Sequence, residues 1–261
     1  SNAATLGPAV GPITTVRFSW SSVKVLKRAT QFILDRTVVR SVKYIKSRTD
    51  DYNENLLDVY KVLWDRAALS SADYIERHLT SILLFHDREP LWDHAITRAK
   101  TDGLFMEFGV WSGKSINTFA ARLPGKRIYG FDSFEGLKED YPGTGFSKGS
   151  FGLGGIMPKV LPNVTLVKGW FDETVPKFLS QHSESVCFLH LDADTYETTA
   201  RLLKPLKSRI QSGTVIVFDE YHGFPNWEKG EFRAWQEFCA ANNLSYRYLG
   251  FSIRQSSVQV L

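Results

Sequence analysis

The residues able to do chemistry collect at five points from Glu107 onward. They are Glu107 to Ser115 (Glu-Phe-Gly-Val-Trp-Ser-Gly-Lys-Ser), Asp132-Ser133, Gly169-Trp170-Phe171, Asp192-Ala-Asp194 and Asp219-Glu220-Tyr221-His222. Each follows a short apolar run. In the first, Glu107 is followed by Gly109, Trp111, Ser112, Gly113 and Ser115, after which the pattern turns helical. A strand, a glycine-bearing turn and a helix N-terminus form a cradle of backbone N–H groups for a polar or charged ligand. Asp132, 25 residues after Glu107, stands where an acid suits the two hydroxyls of an adenosine ribose, with Ser133 beside it. Gly169, Trp170 and Phe171 add aromatic surface for an adenine ring.

The spacing is Glu-x-Gly-x-x-x-Gly-x-Ser, without the three glycines that let backbone approach a pyrophosphate. A ligand with an amino-acid end and an adenosine end fits better. Glu107 would hold its ammonium directly or through water, helix-start N–H groups its carboxylate, and Asp132 its ribose. That ligand is S-adenosylmethionine.

Asp192, Asp219 and Glu220 form a second constellation. Adjacent strands lie about 5 Å apart, so acids at their ends converge on one rim. Three carboxylates together repel unless a cation or shared protons compensate, and hard oxygen ligands suit magnesium or calcium. Such an ion binds substrate hydroxyls and lowers the pKa of one for attack on a methyl group. Beyond that, methyl transfer needs in-line positioning. His222, on the same loop, is a candidate general base or substrate contact, and Asp192 is the candidate base if no metal binds. The competing readings are Asp194 as a helix cap, Glu220 paired with a base such as Arg233, and His190 as a satisfied core residue.

The elements that must position these residues alternate from Leu104 onward. Strands are predicted near 104–109, 127–132, 164–168, 186–191 and 214–219, with helices at 113–122, 172–181, 196–209 and 229–241. Two tail strands, 244–249 and 253–260, close the pattern. The expected fold is α/β: a doubly wound, mostly parallel, seven-stranded Rossmann-like sheet with a C-terminal antiparallel hairpin and an N-terminal helical appendage. Helices are expected at 19–47, 53–68, 71–86 and 90–100. Residues 133–158 carry seven glycines and leave Asp132 directly, which reads as a lid over the site.

The chain reads as a tag scar and flexible start over 1–16, a helical region over 17–100 for lid or oligomer formation, and a catalytic domain over 101–261. Arg17 to Arg48 holds nine basic residues against Asp35 alone, a net +8 in a chain of +4, so the remainder carries −4. A mildly acidic body argues against nucleic acid as its substrate. The basic segment reads as a docking or oligomerisation helix, giving a homodimer or higher homo-oligomer; contact of 17–48 with an anionic membrane and binding of an acidic partner are the alternatives. No apolar run is long enough to span a membrane, and the isolated Cys187 and Cys239 read as reduced core residues of a cytoplasmic protein.

Taken together, the blocks Glu107 to Ser115, Gly130-Phe-Asp-Ser-Phe-Glu-Gly-Leu137, Leu191 to Thr199 and Asp219-Glu-Tyr221 resemble the macrocin O-methyltransferase family over about Leu104 to Phe238. The resemblance implies methyl transfer from S-adenosylmethionine to a hydroxyl of a sugar or glycosylated small molecule. Catechol-type metal-dependent methyltransferases show similar elements, and their metal positions match Asp192, Asp219 and Glu220. The family's better-known members resemble Asp-Asp where this chain has Asp219-Glu220. The catechol-type lysine base has no counterpart, because Thr195 stands in its place. The rival readings are a non-catalytic, membrane-associated protein of the same fold and an NAD-linked oxidoreductase.

Overall fold

The computed structural model describes residues 58–261. The basic segment 17–48, its proposed membrane contact and the helix expected over 19–47 lie outside the described residues. Among those described, no helix is long and apolar enough to cross a membrane.

Helix α1 (Val59–Glu76) is continuous where the sequence predicts a break between 68 and 71. Ser71 looks like a helix starter, but its hydroxyl, like that of Ser70, donates back to the Ala67 carbonyl, at 2.7 and 3.1 Å respectively. Such back-bonding absorbs the hydroxyl within a helix instead of capping a new one. The chain then turns, and Leu83–Leu84 form strand β1 where a helix was expected. Helix α2 (Arg88–Ile96) follows.

From there the elements follow the predicted alternation. They are β2 (Leu104–Phe108), α3 (Lys114–Arg122), β3 (Ile128–Asp132), β4 (Val164–Lys168), α4 (Phe171–Gln181), β5 (Val186–Leu191), α5 (Tyr196–Leu206), β6 (Val215–Phe218), α6 (Glu231–Asn242), β7 (Tyr246–Phe251) and β8 (Ser256–Val260). Among the described residues the sheet has eight strands, not seven, in the order β1-β7-β8-β6-β5-β2-β3-β4. The eighth is β1, which pairs parallel with β7. Only β8 runs antiparallel, to both β6 and β7.

Every residue of β2, β5 and β6 is buried, as expected for parallel strands covered on both faces. Alternate side chains feed two cores. Leu104, Met106 and Phe108 join Phe178, Leu202 and Trp235 from α4, α5 and α6. Phe105 and Phe188 join Trp92 from α2 and Ile116 and Phe119 from α3.

From β2 the chain winds outward through β3 and β4, then crosses back to β5 and β6 on the other side. The winding reverses between β2 and β5. In open α/β sheets the crevice beyond the strand ends at such a reversal is where ligands bind.

Candidate active site

A cavity of about 270 Å³ opens at the carboxyl ends of β2 through β6. Of the residues expected at the cofactor, Gly109, Trp111, Asp132, Ser133, Trp170, Phe171 and Asp192 line it, together with Asp219 and Glu220. Glu107, Ser112, Gly113, Ser115, Gly169 and His222 do not.

The cradle is built by backbone constraints. Gly109 has φ +89, and a Cβ there would lie 2.0 Å from the Asp192 carbonyl oxygen. The glycine thus permits the ends of β2 and β5 to touch. Gly113, left-handed at φ +81, opens helix α3. Asp132 accepts from the Val110 and Trp111 amides through Oδ2, at 2.9 and 2.8 Å, and from the Phe134 amide through Oδ1 at 2.7 Å. A carboxylate has about four acceptor positions, so Asp132 shapes the loop and retains capacity toward a ligand. Apolar Trp170 and Phe171 lie across the cavity from the acids of β5 and β6. The apolar wall suits an adenine, and the acid rim suits the sulfonium and ammonium of S-adenosylmethionine.

Glu107 is placed differently from its expected contact with an ammonium. It is fully buried, accepts from Ser115 Oγ, and meets His190 Nδ1 at 3.0 Å. Its position beneath the cradle rather than in it follows from β2, whose alternation turns position 107 toward the α2–α3 core.

The acids regroup as well. Ligand atoms of Asp192, Asp194 and Glu220 lie within 4.8 Å of one another, so Asp194 takes the place foreseen for Asp219. Asp194 adopts φ +60, and Thr195 is the helix cap, accepting from the Thr198 amide. Arg233 pairs with Glu237 rather than Glu220. Burial, with the charge of neighbouring acids, holds Asp192 and Glu220 well above the usual carboxylate range and brings Asp194 to about 7. Glu220 Oε2 is buried without a partner. This hard-oxygen set with an unsatisfied atom fits a divalent cation.

Asp219 is drawn the other way. Its Oδ1 accepts from Gln255 Nε2 and stands 3.6 Å from His190 Nε2 and 3.9 Å from Arg88. Burial opposes its charge, but His190, together with Arg88 and Gln255, offsets burial and holds its carboxyl below the usual range. Burial likewise opposes the charge on His190, and the carboxylates of Asp219 and Glu107 prevail, raising its pKa to about 9.

His222 is not placed as a base. It is 4% exposed, packs on Phe251, and its Nε2 donates to the Gln255 carbonyl at 3.2 Å. Burial lowers its pKa to about 4. The loop after β6 turns back toward β8, which carries residue 222 away from the rim.

Sequence reasoning missed Glu231, which is fully buried in the first turn of α6 and accepts from the Ala193 and Glu220 amides, each at 3.2 Å. It fixes the two acid-bearing loops relative to each other. An acid opening a helix carries no sign of this, because the contact depends on how α6 packs.

Residues 106–221 match the family model of a methyltransferase domain. No curated protein matches the chain. Among solved structures, the crystal structure of CalS11, a calicheamicin methyltransferase, aligns at 20% identity and a TM-score of 0.53, covering 98% of this chain and 99% of that one. The apo structure of CalS11, titled a TDP-rhamnose 3'-O-methyltransferase of calicheamicin biosynthesis, aligns at 21% identity and 0.46 over 94% and 96%. The O-methyltransferase NovP aligns at 17% identity and 0.49 over 66% and 79%. The first of these shares this chain's fold. The matched stretch runs from β2 to the loop after β6 and so contains the strand ends that line the cavity.

Proposed function

We propose that this chain transfers the methyl group of S-adenosylmethionine to a hydroxyl of a sugar or glycosylated small molecule, as do the macrocin O-methyltransferases its motifs resemble. The observation that carries the reading is one cavity with an aromatic wall at Trp170 and Phe171 and an acid rim at Asp192, Asp194 and Glu220. The acceptor oxygen attacks the methyl carbon, the carbon–sulfur bond breaks with its electron pair left on sulfur, and the hydroxyl proton passes to a carboxylate. Asp192 is the carboxylate for that step. Burial holds its pKa well above the ordinary value, which brings it toward the working pH of a general base. Where a divalent ion is bound, Asp192, Asp194 and Glu220 would hold it, and it would lower the pKa of the acceptor hydroxyl. CalS11, whose fold this chain shares, is titled a TDP-rhamnose 3'-O-methyltransferase, which supports a sugar hydroxyl as acceptor.

The same reading takes the protein as a cytoplasmic homo-oligomer, and sedimentation of the purified protein tests its assembly. For the reaction, the protein is incubated with S-adenosylmethionine and a panel of glycosylated metabolites and nucleotide sugars, and the products are read by intact mass. Gain of one methyl by a sugar-bearing acceptor is expected. No methylated product, together with no calorimetric binding of S-adenosylhomocysteine, would sink the reading.

A further inference from the structure

The notable placement is that of His190. It lies at the centre of the sheet, on β5, directly opposite Glu107 of β2 in the parallel register and beside Val217 of β6. Its side chain is 1% exposed, enclosed by the rings of Phe119 at 5.1 Å and Trp92 at 5.8 Å. A polar ring in such an apolar layer costs several kcal/mol of lost hydration unless its nitrogens find partners. Nδ1 finds one in Glu107 Oε1 at 3.0 Å, while Nε2 has no hydrogen-bond partner and stands 3.6 Å from Asp219 Oδ1, within ion-pair range.

The contacts extend on both sides. Glu107 accepts from Ser115, in the first turn of α3 just past the cradle glycines. Asp219 accepts from Gln255, whose other amide atom, Oε1, takes the Trp92 indole N–H at 2.8 Å. A continuous line of polar contacts therefore runs under the cavity, from the cofactor cradle to the acid rim. Asp219 is its only cavity-lining member.

We propose that His190 is a positioning residue, which touches no ligand but fixes the cofactor cradle and the acid rim relative to each other through Glu107 and Asp219. It rests on the function proposed above, since that function supplies the ligand whose fit the line controls. Removing the ring's nitrogens leaves Glu107 Oε1 and Asp219 Oδ1 buried without their shared partner. Both ends of the cavity then relax, although neither has lost a ligand contact.

The test measures S-adenosylhomocysteine affinity by calorimetry, well below the melting temperature, for wild type, His190→Phe, His190→Gln, Asp219→Asn and the double variant His190→Phe/Asp219→Asn. A folded His190→Phe is expected to bind about tenfold more weakly. His190→Gln, which keeps a donor, is expected to recover most of that loss. Asp219→Asn should weaken wild type but add little to His190→Phe, as for residues acting through one contact. If His190→Phe does not fold, His190→Gln and its double variant with Asp219→Asn carry the comparison. A purely structural histidine would lower the melting temperature and leave affinity unchanged, and that result overturns the proposal while the functional reading stands. Failure of wild type to bind S-adenosylhomocysteine overturns both.

Discussion

Asp132 holds the Trp111 amide at 2.8 Å, through the same carboxylate oxygen that takes the neighbouring Val110 amide. Trp111 sits at φ +44, a conformation disfavoured for a bulky residue, and its ring meets Phe151 of the 133–158 segment edge-on at 6.0 Å. One acid at the end of β3 thus fixes the loop after β2 in a strained form. Strain of this kind persists where the surroundings over-determine it.

Replacing Asp132 with Ala removes the acceptor for three amides. Hydrogen bonds to a charged group contribute about 1.5–3 kcal/mol each, and part of the loss will be recovered by water. Affinity for S-adenosylhomocysteine is expected to fall at least about tenfold, with Asp132→Asn intermediate because it keeps an acceptor oxygen. Calorimetry on both variants checks this. Unchanged affinity in Asp132→Ala would remove Asp132 from the cofactor site.

Gly109→Ala tests the contact between the ends of β2 and β5. The added methyl would meet the Asp192 carbonyl oxygen at 2.0 Å, at a φ of +89 that alanine resists. Neither strand end can retreat, because the Gly109 amide donates to the Phe131 carbonyl at 3.0 Å and the Asp192 amide to the Phe108 carbonyl at 2.9 Å. A loss of about 3 kcal/mol or more is expected, which is a fall of about 6–12 °C in melting temperature. Gly125→Ala is the control. It meets nothing within 4 Å and has an ordinary φ, so it should leave the melting temperature unchanged or slightly raised.

Most of the fold from Leu104 onward was legible in the sequence, because parallel strands buried on both faces read as apolar runs and the helices between them keep a 3.6-residue rhythm. The α1 and β1 region was not. Ser71 mimics a helix start, and a two-residue edge strand such as Leu83–Leu84 exists only through its pairing with β7. Within the site, sequence position locates an acid at a strand end but not the direction in which it points. Asp194 enters the acid cluster because its backbone turns left-handed, and Asp219 leaves it because His190 and Gln255 lie beneath. His222 was expected at the rim because it follows the acids in sequence, whereas the loop carries it to Gln255.

His222 gives a pH dependence with a definite sign. Its pKa falls from 6.5 to about 4 in the folded protein because burial disfavours the imidazolium. Between those values the unfolded chain holds a proton that the folded one does not, so stability is full above pH 6.5 and declines as pH falls toward 4. The loss from this one group is at most about 3 kcal/mol. His222→Gln keeps a donor for the Gln255 carbonyl and cannot titrate. Its melting temperature should therefore fall less than wild type's between pH 6.5 and 4, and equal slopes would rule out the buried neutral ring.

The acid cluster carries the opposite sign. Asp194 has a folded pKa of about 7 against an ordinary 3.8, and burial brings Glu231 to about 8. The folded protein keeps these protons while the unfolded chain releases them, so metal-free stability is full at low pH and declines as pH rises from about 4 through 8. A divalent ion needs the deprotonated carboxylates, and it binds only the folded arrangement. Magnesium should therefore raise the melting temperature more at pH 8 than at pH 6. Asp194→Asn removes one of the mutually repelling charges. In chelator at pH 8 it should stabilise the protein by about 2 kcal/mol, about 4–8 °C, while abolishing most of the gain from magnesium. Thermal scans of wild type and Asp194→Asn at both pH values, with magnesium or with EDTA, measure each term. If magnesium leaves the wild-type melting temperature unchanged at pH 8, the cluster holds no metal ion, and Asp192 acts as the base unaided.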